Sequence, residues 1–242
     1  MNVVREAAST LRPPVGDRHG PLAPMLVALT FVTGVVDAVS YLKLGHVFVA
    51  NMTGNVVFIG FALAGASGLS APASLAALAS FLLGALLGGR VGALSAEHRG
   101  RLLRGTAAVQ SLLFVTALIV SLSVSDSFGG AARYALLVPL ALGMGIQNAA
   151  AQKLAVPELT TTVLTRTLTG LASEASLAGG HGAQSGRRAV AVAAMLLGAV
   201  AGALLALEVS VAAAIAVATA TVLAVALAVH TLSRGHPAWT RA

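Results

Sequence analysis

The chain contains no cysteine, which excludes disulfides, thiol catalysis and thiolate metal sites and leaves the redox compartment unread. Charge is almost as scarce. Charged residues make up 10% of the 242 residues, against roughly 25% in a soluble domain, so the chain lacks the polar surface to cover itself in water. Its six histidines are scattered, with no pair at ligand spacing, and no metal site is expected. Phosphate loops, paired catalytic carboxylates and nucleophile motifs are missing from the sequence too. No enzyme activity and no cofactor is expected.

What fills the chain is apolar. Hydrophobic residues reach 57%, with a mean hydropathy of +0.89, and the useful unit of length is a membrane span of about 20 apolar residues. The net charge is +7. In a soluble protein that would suggest nucleic acid; here it reads as basic loops fixing orientation in a bilayer, with no nucleic-acid partner. The first 24 residues are polar and hold Pro13, Pro14, Pro21 and Pro24. They lack the form of a cleaved signal peptide and read as a disordered tail.

Eight apolar stretches follow, near 25–44, 47–66, 71–94, 105–124, 131–155, 158–179, 188–208 and 210–230. Inside a bilayer only helices or closed barrels satisfy the backbone, and these runs are too long and unalternating for barrel strands. The expected fold is an all-α integral membrane protein. Three motif pairs recur in order: Gly34–Ala38 with Gly145–Ala149, Met52–Asn55 with Leu164–Thr167, and Phe81–Gly88 with Met195–Gly202, at offsets of 111, 112 and 114. A duplication follows, with membrane repeats over 25–124 and 131–230 and a cytoplasmic tail over 231–242.

Charge placement orders the halves. If the second and sixth stretches dip in and return, twelve of the fifteen Lys and Arg residues fall inside, with Lys43 and Arg133 outside and Arg166 within the protein. Both termini are then cytoplasmic, about six helices span, and two segments re-enter. Each half has three spans, so the second half is inverted, a recurrent transport architecture. The alternative is a seven-span chain with an external N-terminus.

Asp37 is the sharpest residue, because an acid at a helix centre costs about 2.5–3.5 kcal/mol to insert. Gly34, Asp37 and Tyr41 share a helical face, as do their mates Gly145, Asn148 and Gln152. Asp37 and Asn148 are expected to face each other along a substrate or ion path, Asp37 coupling a proton or cation. Ser40, Asn51, Thr53, Asn55, Gln147, Thr162, Thr165 and Arg166 join that path. Threonines and amides could replace a solute's hydration there, unless their hydroxyls merely bond back to their own helices. Gly54 permits a break or a close approach. Arg166 would neutralise Asp37, Glu158 or Glu174, or bind an anion. Gly84 with Gly88 and Gly198 with Gly202, like Gly34 and Gly145, let helices or copies of the chain approach closely.

The runs GVVDAVSYLKLGHVFVANMTGN and GMGIQNAAAQKLAVPELTTTVLTRTLTG resemble the YoaK family, the DUF1275 membrane proteins of bacteria. The resemblance covers nearly the whole chain after the tail. It implies a multispanning inner-membrane protein of about six helices, with signature positions on Asp37, Ser40, Asn51, Thr53, Gly54, Asn55, Gln147, Asn148 and Thr165. It implies no substrate. The expected function is a transporter or channel for a small polar solute. The alternative is an interaction or assembly protein in which the same residues only fix helix packing.

Overall fold

A computed structural model describes residues 3–14, 16–95, 98–124, 128–162, 164–174, 184–234 and 238–240. Glu97, the 175–179 end of the sixth apolar stretch and Arg241 lie outside the described residues. Among the described residues the fold is all-helical. The helices are α1 (Val3–Leu11), α2 (Leu22–Lys43), α3 (Met52–Leu63), α4 (Ala71–Leu94) and α5 (Arg99–Ser123). They continue with α6 (Gly130–Leu154), α7 (Leu164–Ser173), α8 (Ser185–Leu204, extended by a wider π turn over Leu205–Val209) and α9 (Val211–Leu232).

Six of these, α2, α4, α5, α6, α8 and α9, are long and apolar enough to cross a membrane. α3 is apolar but too short. α2 and α6 are mostly buried and form the centre, whereas α4, α5, α8 and α9 keep most of their apolar length on the outside. Leu82, Leu83, Leu86 and Leu87 on α4, and Leu196, Leu197, Val200 and Leu204 on α8, are exposed. In water that would be a liability; against acyl chains it costs nothing, since the bilayer is as apolar as leucine.

Two glycine seams hold the centre to the periphery. A Cβ on Gly198 would strike the Phe31 carbonyl and one on Gly202 the Val35 carbonyl, while Gly34 lies against Met195 and Ala199. Gly84 and Gly88 meet the Leu142 and Ile146 carbonyls in the same way, with Gly145 against Phe81 and Ala85. Here the missing side chains let two backbones touch, the contact that replaces hydrophobic drive inside lipid. The steps of four on both partners also show that α2 runs parallel to α8, and α4 parallel to α6.

The remaining directions follow from single contacts. Arg99 donates to the Leu154 carbonyl at 2.6 Å and lies 3.1 Å from His19 Nδ1, so α6 ends beside the start of α2. At the opposite end Gly45 faces the Arg133 guanidinium. α2 and α6 are therefore antiparallel, and so are α2 and α4. The chain between α2 and α4 must return to the end it left, and His46 Nδ1, 3.2 Å from the Gly68 carbonyl, ties its two limbs together. The same logic holds for α7, between antiparallel α6 and α8. Neither short helix crosses the bundle.

The N-terminal tail departs from expectation. Its residues form α1, which packs on α8, and Glu6 Oε2 accepts the Gly186 N–H at 3.0 Å. Gln184, at the helix's start, supplies no side-chain cap of its own. A carboxylate from the tail thus satisfies one of the free N–H groups that open α8. Near the other terminus, Trp239 packs over Gly20.

Candidate functional site

α2 stops because Gly45 and His46 take left-handed backbone angles, φ 95° and 55°. Residues 47–50 then run without helical hydrogen bonds inside the protein, where bare N–H and C=O groups are costly. Side chains supply the partners. Asp37 Oδ1 accepts the N–H groups of Val49 at 3.0 Å and Ala50 at 2.8 Å. Asn55 takes Phe48 on both sides, accepting its N–H at 2.8 Å and donating to its carbonyl at 2.6 Å. Asp37 is 5% exposed and Asn55 fully buried. The Phe48 ring lies so close to Gly54 that a Cβ there would sit 2.7 Å away. Within Met52–Asn55, then, the glycine clears room for a ring and the asparagine binds that residue's backbone.

Asp37 keeps one oxygen in reserve. Oδ2 is buried and has no hydrogen-bond partner among the described residues. Ser40 donates back to the Asp37 carbonyl at 3.2 Å, the bland fate expected of helical hydroxyls. Tyr41 belongs to an aromatic stack, 5.1 Å from Phe48, which lies 5.7 Å from Phe58. Asn51 and Thr53 are exposed.

The second half repeats the device with different chemistry. α6 ends at Ala155, left-handed at φ 48°, and Asn148 Oδ1 accepts the Thr162 hydroxyl at 2.7 Å. Asn148 thus holds the loop after α6 as Asp37 holds the loop after α2. The expectation that the two face each other fails: on antiparallel helices, each near its helix's C-terminal end, they serve opposite ends of the bundle. Gln152 is exposed. Gln147 turns inward instead, accepting from Gln110 at 2.8 Å and donating to the Leu29 carbonyl and the Thr33 hydroxyl. That amide chain knits α2, α5 and α6 at the buried centre.

Beyond Thr162 lies a polar cleft. Arg188, at the start of α8, donates to Glu174 from Nη1 at 2.8 Å and Nη2 at 3.0 Å and to Glu158 from Nη2 at 3.1 Å, with Nε in ion-pair contact with Glu158 Oε2 at 3.0 Å. Gly170 permits this, because a Cβ there would lie 2.6 Å from the guanidinium carbon. Hydrogen bonds from Arg188 hold the Glu174 carboxyl below its ordinary value. Two adjoining cavities, about 310 and 620 Å³, share Glu158 and Arg166 as walls. Thr165, Thr169 and Ser173 line the larger one. Arg166 is exposed and makes no ion pair among the described residues; the neutralising role expected of it belongs to Arg188. Elsewhere at this end, burial and then the charge of Arg99 hold His19 below its usual value.

Sequence reasoning missed Arg188 as more than a loop charge, and Gln110 altogether. Gln110 was open to detection as a lone amide in the apolar run of α5. Nothing local separated Arg188 from Arg187.

Six apolar helices around a glycine-sealed centre, with two short segments turned back at its ends, define a multi-pass α-helical membrane protein. The chain matches the family described as "Protein of unknown function (DUF1275)" over residues 25–228, and it belongs to that family. It is 34% identical over 155 residues to the UPF0700 transmembrane protein YoaK of Bacillus subtilis (strain 168), a match covering 63% of this chain and 66% of that one. No solved structure matches it.

Proposed function

We propose that this protein is a transporter or channel for a small polar solute in the bacterial inner membrane, built from two inverted halves. The observation that carries the reading is the pair of short helices, α3 and α7, turned back at opposite ends and each tied to its preceding span by a polar side chain, Asp37 or Asn148. Broken segments of this kind expose unpaired backbone and polar groups to a pathway. The glycine seams support the inversion. Gly34 and Gly145 are equivalent, as are Gly198 and Gly84, and the carbonyl partners of the latter pair, Phe31 and Leu142, differ by 111, the offset of the Gly34 and Gly145 motifs.

Orientation follows from charge. Arg99, Arg101, Arg104, Lys153, Arg187, Arg188 and Arg234 lie at the end that holds α1 and the close of α9, and the positive-inside rule supports reading that end as the cytoplasmic one. Asp37, with its reserve oxygen, is the residue that could carry a coupling proton or cation.

The test is uptake of a radiolabelled panel of carboxylates, amino acids, sugars and amines into proteoliposomes. Flux above empty vesicles is expected for at least one class, reduced by Asp37→Asn and Asn148→Ala. Flux that survives both substitutions unchanged would take the anchors out of the pathway. The assembly-protein reading has one observation in its favour, that Asp37 bonds backbone N–H groups and Asn55 bonds the Phe48 backbone and the Met52 sulfur, all contacts within the fold. Under it Asp37→Asn lowers thermal stability and no solute in the panel moves.

A further inference from the structure

The cleft between the 155–162 loop, α7 and α8 shows how it treats carboxylates, because it already holds two. Glu174 meets Arg188 with both oxygens, hydrogen-bonded by Nη1 and Nη2, the forked geometry that makes a guanidinium selective for planar oxyanions, and Glu158 takes one hydrogen bond from Nη2 and an ion-pair contact from Nε. The same grip keeps both acids from folding onto Arg166. A second guanidinium therefore faces both cavities with no carboxylate of its own among the described residues. Arg188 and its two acids sum to one negative charge; Arg166 brings the cluster to zero, and an arriving anion meets the end of the cleft where the positive charge is unspent.

The hydroxyls complete the lining. Thr165, Thr169 and Ser173 recur at intervals of four on α7 and so share one face, which borders the larger cavity. That cavity, about 620 Å³, falls within the range of about 300–1,000 Å³ typical of small-molecule sites. Every residue in its lining apart from Gly170 carries a charge or a hydroxyl, and the methyl and methylene groups of the same side chains supply the apolar part of the wall. Such a surface suits a short solute with a charged head and a small aliphatic or hydroxylated body.

We propose that this cleft binds a small organic carboxylate, with its carboxyl forked on Arg166 and the remainder against the α7 hydroxyls, Glu174 being the internal template for that contact. This names the substrate class for the transport reading and rests on it for its physiological meaning. Both acids already face the positive charge of Arg188, so the charge left unpaired in the cleft is that of Arg166, which favours an anion over an amine or choline.

The test uses the full chain in an uncharged detergent, with radiolabelled succinate and lactate measured by equilibrium dialysis and by the shift in melting temperature. Saturable binding of a carboxylate is expected, with none for glucose or choline. Arg166→Gln should weaken it by about tenfold or more, the loss of a charge-assisted fork. Arg166→Lys, which keeps the charge and loses the fork, should fall between. Arg234→Gln, an exposed cation on the terminal tail, should match the unaltered chain. Because Arg166 is exposed, Arg166→Gln should elute and melt as the unaltered chain does without ligand. Inorganic phosphate, or vesicles rich in anionic lipid, binding as tightly at Arg166 would overturn the carboxylate assignment. So would carboxylate binding indifferent to Arg166→Gln, or its absence. Binding without uptake sinks the transport reading and leaves the site; uptake indifferent to Arg166→Gln does the reverse.

Discussion

Asp37 offers the clearest test of how the broken segment after α2 is held. Replacing it with leucine removes the acceptor for two buried N–H groups, those of Val49 and Ala50 at 3.0 and 2.8 Å. Each orphaned donor costs about 1–3 kcal/mol, so the loop should lose roughly 2–6 kcal/mol of local stability. Asparagine keeps a carbonyl oxygen of nearly the same shape. It forfeits only the charge assistance, the difference between roughly 1.5–3 kcal/mol for a charged bond and about 0.5–1.5 for a neutral one. Over two bonds that is about 2 kcal/mol. The chain has no native cysteine, so a single Ala50→Cys, at a site 3% exposed, reports opening by its rate of reaction with a maleimide. Since about 1.4 kcal/mol is a factor of ten, Asp37→Asn should raise that rate by about thirtyfold and Asp37→Leu at least as much. A folded Asp37→Leu protein that labels no faster than its parent would refute the reasoning.

The glycine seams make a second prediction. Gly198→Ala and Gly145→Ala drive a methyl into the Phe31 and Phe81 carbonyls and should destabilise by about 1–3 kcal/mol, the cost of overpacking. Gly89→Ala, on the same helix as Gly84 but with nothing within 4 Å, should gain up to about 1 kcal/mol of helix propensity; equal melting temperatures for the three variants in one detergent would discard the seams. A third concerns acid. Hydrogen bonds from Arg188 depress the Glu174 carboxyl below 4.5 in the folded protein, so its contribution is fully present above pH 4.5 and lost as pH falls through the lower folded value. Glu174→Gln should therefore flatten the acid limb of a melting-temperature profile, and an unchanged limb would mean the contact carries no stability.

Much of the fold was legible because a bilayer makes it so. Span length, the four-residue glycine spacing and the sidedness of arginine are properties of the chain read along itself, and they lead to six crossings and two returns. Asp37 and Asn55 stood out as polar groups where insertion is costly. Their partners did not, since the N–H groups they serve belong to a stretch whose path exists only after α2 has ended and α3 has turned back. Distance in sequence hid other features. The polar opening residues read as a tail because the N–H that Glu6 satisfies lies 180 residues away, at Gly186. Arg188 was indistinguishable from Arg187 until Gly170 cleared the space its guanidinium fills.

The two short helices also show where likeness between the halves ends. α3 is almost wholly apolar and held by a buried acid. α7 is amphipathic, carries Arg166 and a row of hydroxyls, and is braced by an ion cluster. A shared frame with unlike inserts gives the two ends of the bundle different chemistry. Among the described residues the charged and hydroxyl-lined cleft lies at the α7 end, while the α3 end presents an aromatic stack and a carboxylate with one oxygen unspent. Under the transport reading, a solute crossing from one to the other would meet those groups in sequence, and this asymmetry is what would give the path a direction.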